Sequence, residues 1–198
     1  MSERIKLNKV SLREQKQKLA LYRRFLPALE ARKQQFLMQL GFVRKEIQQQ
    51  EEALARLLSD MARWSPLLWD LEPLMRYFLA IEDVRYTMHN VAGLKIPHFD
   101  DVVFADPPYS VFATPGSFET VRDRMREAVT LREAIRILKE QERILSEGFR
   151  KTSQRINLYE QRLIPDCREA LRKIAVYLQD QQAAAVGVAK AAKRLGGD

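Results

Sequence analysis

A heptad seam in the N-terminal third of the chain constrains the fold more than any other feature. Stepping alternately three and four residues from Leu12 visits Gln15, Leu19, Tyr22, Leu26, Leu29, Lys33, Phe36, Leu40, Val43, Ile47, Gln50, Leu54, Leu57 and Met61. Only Gln15, Lys33 and Gln50 among these are polar. An apolar repeat averaging 3.5 residues, sustained well beyond the three or four heptads of an ordinary surface helix, specifies a left-handed coiled coil. The polar seam residues cost stability and fix register.

A second arm begins near Ser117, an N-cap candidate just after Pro115-Gly116. Its seam reads Leu131, Ile135, Leu138, Glu142, Leu145, Phe149, Thr152, Ile156, Tyr159 and Leu163. Beyond Pro165 the phase slips by one residue, to Ile164, Cys167, Leu171, Ile174 and Leu178, then Ala185, Val188, Ala192 and Leu195. A slip of this kind changes the supercoil locally. Pro165 removes a backbone hydrogen bond and is expected to bend its helix, as is Pro27 in the first arm.

Length then selects the architecture. A first helix of about 50 residues spans ~75 Å, and a second approaching 75 residues spans ~110 Å. A compact globule of this size is only ~40 Å across. The spacing therefore predicts a rod in which the two arms pair antiparallel. The fold class is mainly α: a long antiparallel two-helix coiled coil with a small middle region of short helix plus β-hairpin. The expected boundaries are 1–62 for the N-terminal helix, 63–116 for the middle region and 117–198 for the C-terminal helix.

The middle region breaks the heptad pattern. Ser65-Pro66 reads as a cap plus first helical residue, starting a short helix with Leu67, Leu68, Trp69, Leu74, Met75 and Phe78. Val84–Met88, Leu94–Ile96 and Val102–Phe104 read as extended, punctuated by Gly93, Pro97 and Asp100-Asp101. Asp106-Pro107-Pro108-Tyr109 is a loop. A lone hairpin is marginal in water, so it should rest on the short helix or on a partner.

Composition agrees with a helix-rich chain: 198 residues, 30% charged, with 7 Gly and 8 Pro. The net charge of +8 is unevenly spread: about +6 over 1–62, about −3 over 63–116 and about +5 over 117–198. Basic arms suit nucleic acid, acidic protein surfaces or anionic lipid, and equally a plain solvated helix face. No apolar run approaches the roughly 20 residues of a membrane span. Met1 to Val10 lacks the apolar core of a signal peptide. A single cysteine, Cys167, excludes an internal disulfide and points to a reducing, cytoplasmic setting.

No catalytic motif emerges, and no Gly-rich loop with GK[ST] is present to cradle a nucleotide phosphate. His98, Asp100 and Asp101 are the residues nearest to a metal set, but their spacing matches no known site and an ordinary hairpin loop explains them better. Cys167 falls on the seam and reads as a small core residue rather than a nucleophile. Trp64 and Trp69 read as core or partner-facing residues near the helix break. The small-residue tail from Ala183 to Ala192 is either a slender tip that fits a narrow hole or a frayed end, and composition alone favours fraying.

Certain stretches resemble a known family. Ser153-Gln154-Arg155-Ile156-Asn157-Leu158-Tyr159-Glu160 followed by Leu163-Ile164-Pro165 is similar to the C-terminal pattern of the D subunits of V-type ATPases and ATP synthases. Leu19, Leu26, Leu29, Lys33 and Leu37 resemble that family's N-terminal helix, and Lys95-Ile96-Pro97 resembles its hairpin. The resemblance covers essentially the whole chain. It departs at Arg23-Arg24-Phe25, where many members carry a glycine.

The resemblance implies a central-stalk rotor axle with no catalytic residue and no cofactor of its own. Its paired termini would insert into the hexamer of catalytic A and B subunits. Its middle region would face the F and the funnel-shaped C (or d) subunits, which lie over the ion-carrying ring. Membrane contact would be indirect, with the chain peripheral on the cytoplasmic side. The implied hexamer-facing residues are Arg155, Asn157, Arg162, Pro165, Ala184 and Val188. The implied contacts with central-stalk partners are Tyr86, Ile96, Val103 and Phe104. The alternative reading is a basic coiled-coil interaction protein that binds nucleic acid. It would need stacking aromatics interleaved with the outward basic residues, and few are found there.

Overall fold

The computed structural model describes residues 6–63, 71–110, 112 and 114–195. Trp64, Trp69 and the expected cap Ser65-Pro66, with Leu67 and Leu68, lie outside the described residues. The element order is helix α1 (Lys9–Ala62), helix α2 (Glu72–Phe78), strands β1 (Ile81–Val91) and β2 (Leu94–Phe104), helix α3 (Phe118–Leu158), a π-helical turn (Tyr159–Leu163) and helix α4 (Ile164–Leu195). The chain is mainly α, with a long N-terminal and a long C-terminal helical arm packed together, as the heptads specify.

Helix α1 starts one turn before the seam does. Asn8 caps it: its side-chain Oδ1 accepts from the Ser11 amide at 2.7 Å, and its carbonyl accepts from the Leu12 amide at 3.1 Å. Helix α3 starts where the sequence suggested. Ser117 stands at its N-cap position, with its carbonyl accepting the first helical bond from the Val121 amide at 3.0 Å. Every predicted seam position of α1 from Leu12 to Met61 is buried or half-buried.

The chain forms two compact units. One holds residues 1–33 and 151–198, the other 34–150. In the first, the start of α1 runs antiparallel to α4. The Tyr22 and Tyr159 rings meet at 5.2 Å, and Leu7 shares a groove with Arg172, Val176 and Tyr177. In the second, α1 runs antiparallel to α3. Two ion pairs mark the stagger: Arg44 Nε to Glu142 Oε1 at 2.6 Å and Lys139 Nζ to Glu51 Oε1 at 2.7 Å. Exposed pairs of this kind contribute only about 0–1 kcal/mol each. Register therefore rests mainly on the apolar seam between them.

The main core of the second unit joins both helices to the hairpin. Phe36, Leu40, Val43 and Ile47 from α1 and Leu138 and Leu145 from α3 enclose Ile96 of β2, with Val91 and Leu94 packed beside it. Contact with two neighbours widens the buried stripe of α3. Gln141 is buried there, while Glu142, the expected seam residue, is half-buried and reaches across to Arg44 of α1. A second core gathers Leu71, Met75 and Phe78 around Phe118 and Val121. Edge-to-face packing of Phe78 on Phe118, centroids 5.2 Å apart, belongs to this cluster.

The hairpin is longer and more continuous than its sequence suggests. Ala92 (φ 50°) and Gly93 (φ 81°) form a two-residue turn with both φ positive, the type that matches strand twist. Asn90 Oδ1 accepts from the Gly93 amide at 3.0 Å and braces it. Pro97 and Asp100-Asp101, expected as breaks, lie inside β2. A two-stranded sheet has two free edges, so Pro97, paired with Met88, can point its missing N–H side outward. Asp100 is absorbed by a bulge, since Arg85 faces Asp101 while Tyr86 faces Phe99.

Candidate interaction surfaces

The residues with chemistry to offer are mostly exposed and mostly paired with each other. Tyr109 donates to Glu119 Oε1 at 2.6 Å and accepts from Arg122 at 3.3 Å. The hydrogen bond to Glu119, with some burial, pushes the Tyr109 hydroxyl above its ordinary range. The Arg122 guanidinium is pushed up chiefly by its bond to Asp123. Arg126 donates to the carbonyls of Phe78 and Ala105 at 3.1 and 2.7 Å and lies 5.2 Å from the centre of the Phe104 ring. These residues tie the hairpin base and the end of α2 to α3. They bind the protein to itself.

The histidines sit together on the hairpin. His89 and His98 stack with ring centres 4.9 Å apart and planes 20° from parallel. Near-parallel rings aim their in-plane lone pairs side by side, whereas a metal needs them converging at about 2.0–2.1 Å. Asp100 faces Thr87 at 3.4 Å. Among the described residues no group of three or more His, Cys, Asp or Glu is placed to hold a metal ion. Cys167 is buried on the seam of the first unit, and desolvation raises its thiol above the usual range, the opposite of an activated nucleophile.

The residues implied as hexamer contacts all lie in the first unit, and all are exposed. Arg155 and Asn157 occupy the last turn of α3, Arg162 the π turn, and Pro165 the start of α4. Arg155 and Asn157 flank the seam residue Ile156, whose burial fixes their outward direction. Ala184 and Val188 lie where α4 is exposed on every side, and Val188 retains 70% of its surface. The seam positions Ala185, Val188, Ala192 and Leu195 are likewise exposed, because α1 begins only at Lys9 and no described segment covers them. The helix nonetheless continues to Leu195, where composition favoured a frayed end.

The residues implied as central-stalk contacts divide. Tyr86 is open at 57% exposure and faces Phe99 across the hairpin. Val103 and Phe104 are half-buried, with Phe104 under Arg126. Ile96 is only 5% exposed and belongs to the core between α1 and α3. Its side chain seats the hairpin in that core. Sequence reasoning missed a different exposed group in the same unit. Met38 and Phe42, one turn apart on α1, are open at 64% and 63%, and Met38 shares a groove with Asn90, Val91 and Ala92 of the hairpin tip. Their signal was available, since both are large apolar residues off the seam.

No described helix is long and apolar enough to cross a membrane. The profile of the family described as the ATP synthase D subunit matches residues 11–194. The V-type ATP synthase D subunit of Borreliella burgdorferi is 32% identical over 190 residues, covering 96% of this chain and 94% of its own. Chlamydia felis has a protein of the same name at 32% identity, covering 98% of this chain and 94% of its own. The corresponding protein of Chlamydia trachomatis serovar L2 is 30% identical, with 98% and 97% covered. Two heptad arms, a seated hairpin and an end-to-end match lead to one assignment: the chain belongs to the ATP synthase D-subunit family.

Proposed function

We propose that this chain is the central-stalk rotor axle of a V-type ATPase or ATP synthase. It carries torque between ATP hydrolysis or synthesis in a hexamer of A and B subunits and the movement of protons or sodium ions through a membrane ring. In this reading it performs no chemistry, binds no cofactor and sits on the cytoplasmic side, peripheral to the membrane.

The observation that carries the reading is the contrast along the C-terminal arm. From Thr152 to Leu178 the arm is locked to α1 by buried side chains, whereas from Gln181 to Leu195 it is bare on every side. Six of the fifteen residues in that bare stretch are alanine, and Gly187 is a seventh small one. A shaft end turning within a bearing needs a slim surface that forms no tight fixed contact, and small side chains provide one. Arg155, Asn157 and Arg162, just below, offer outward polar groups to the same bearing. The hairpin, through Tyr86, Val103 and Phe104, faces the F and the funnel-shaped C (or d) subunits.

Co-expression with A, B and F subunits tests the assignment, with a defined complex containing this chain as the expected result. Removing 183–198 should then weaken hexamer insertion or uncouple ATP hydrolysis from ion pumping. Unchanged ATP-driven pumping by that complex would remove the role given to the tip. Arg155→Glu with Arg162→Glu should lower coupling while leaving the helical circular dichroism signal intact; a lost signal with normal assembly would contradict the surface role.

A further inference from the structure

The C-terminal arm contains one residue more than its coil requires. Thr152, Ile156 and Tyr159 lie on the seam, and so do Ile164, Cys167 and Ile174 further on. An α-helix turns about 100° per residue, so a surplus residue between the two sets would swing the second set about 100° away from α1. Yet Ile164, Cys167 and Ile174 are all buried. The π-helical turn Tyr159–Leu163 reconciles the two, with the Ile164 amide bonded to the Tyr159 carbonyl five residues back. The wider turn absorbs the extra residue, and the backbone is α-helical on both sides, at Leu158 and at Ile164.

Pro165 follows at once. It has no N–H to donate, and in a regular helix its ring would press on the carbonyl of Gln161. A wide turn just before it relieves that clash. On the other side the Tyr159 ring packs on Tyr22 at 5.2 Å with planes at 50°. The surplus residue is thus confined between an aromatic contact and a proline. The facing helix carries a proline nearby as well, Pro27 just beyond Tyr22, although α1 runs unbroken through it.

We propose that Tyr159–Pro165 is a pinned joint in the C-terminal arm, at which Ile164–Leu195 bends and twists against the helix before it without losing its seam register. Kinks in helices localise at prolines and π turns because hydrogen bonding is poorest there. The two pins keep the deformable point in one place along the arm. The chain's own spacing sets this joint, whatever the arm is inserted into.

Deleting Gln161 is the decisive test. In that variant Thr152, Ile156, Tyr159, Ile164, Cys167, Leu171, Ile174 and Leu178 fall into unbroken four-three spacing, so the coil should survive without a π turn. Nitroxide labels at Gln154 and Asp180, both exposed, flank the joint in the full-length chain carrying Cys167→Ala. The distance distribution should be about twice as wide with Gln161 present as with it deleted. Backbone amides over 160–164 should exchange about tenfold faster than those over 168–174, and this contrast should vanish in the deletion. Equal widths and equal exchange in the two chains would overturn the joint. So would a deletion variant that loses helix, because the residue would then be needed for the coil. Pro165→Ala keeps the surplus residue and removes one pin, so the fast-exchanging region should spread from its present place; a region that stays put would overturn the pinning.

Discussion

Leu94 of the hairpin occupies the space that a side chain at Gly148 would need. A Cβ built at position 148 collides with Leu94 Cδ1 and lies 3.3 Å from the Phe36 ring. The hairpin thus sits directly on the α3 backbone at a residue chosen for its missing side chain. Gly148→Ala should destabilise the protein by about 1–3 kcal/mol through overpacking, against the roughly 1 kcal/mol that alanine normally adds in a helix. Gly41 is the control: it too lies in a helix, with nothing within 4 Å of a built Cβ. Gly41→Ala should stabilise by about 0.5–1 kcal/mol. Urea titrations of both variants check the opposite signs.

Arg126 is the second fastening of the middle region. Its guanidinium serves the carbonyls of Phe78 and Ala105 at once and also reaches Asp106 at 3.2 Å. Arg126→Ala should cost about 2–3 kcal/mol, since it strands two acceptors that a charged donor satisfies. Arg126→Lys should recover little, because an ammonium cannot fork to two carbonyls in a fixed plane. Hydrogen exchange should show the loss concentrated at the hairpin base around Ala105, whose amide donates to the Ala80 carbonyl at 2.9 Å. Loss spread evenly over both arms would count against this role.

The seam of the second unit should respond as a packed core. Phe36 and Leu145 have no exposed surface. Leu145→Ala is expected to cost about 2–5 kcal/mol and Phe36→Ala about 3–5 kcal/mol. Val188→Ala, on the bare part of α4, should change stability by less than about 0.5 kcal/mol. Thermal melts of the three variants provide the comparison.

Stability should fall at both ends of the pH scale, for opposite reasons. Hydrogen bonds from Arg143 and Lys173 hold the Glu140 and Glu169 carboxyls below their ordinary range. A lowered folded pKa means that the unfolded chain binds more protons. Their contribution is therefore present above the usual carboxylate range, about 4.3, and is lost as pH falls through the folded value. Both groups are exposed, so the effect is small. Cys167 behaves inversely. Burial raises its thiol, so its contribution is present below the usual thiol range, about 8.5, and is lost as pH rises through the folded value. Cys167→Ala should flatten the alkaline limb of a melting-temperature profile, and Glu140→Gln with Glu169→Gln the acid limb. The native thiol should also resist a disulfide reagent at pH 8 until the chain is unfolded.

Much of this was legible in the sequence. The seam from Leu12 to Met61 follows from local periodicity, and so does the slip near Pro165, because a repeat of 3.5 residues along one strand of chain already states which side must be covered. The outward direction of Arg155, Asn157 and Arg162 follows from the same spacing. Hidden from that spacing were the contacts between residues far apart in the chain. Periodicity does not say that Leu94 lands on Gly148, that Ile96 is spent inside rather than offered to a partner, or that Arg126 reaches two carbonyls. Nor does it say that Pro97 and Asp100 remain within a strand, which depends on free sheet edges and a bulge. The slip itself is visible as spacing, but only the folded backbone shows how it is resolved. A residue can be absorbed by rotating the helix or by widening one turn, and the burial of Ile164, Cys167 and Ile174 against α1 selects the wide turn. Repeats along the chain thus determine what must be buried, and the three-dimensional packing decides which distant residues do the burying.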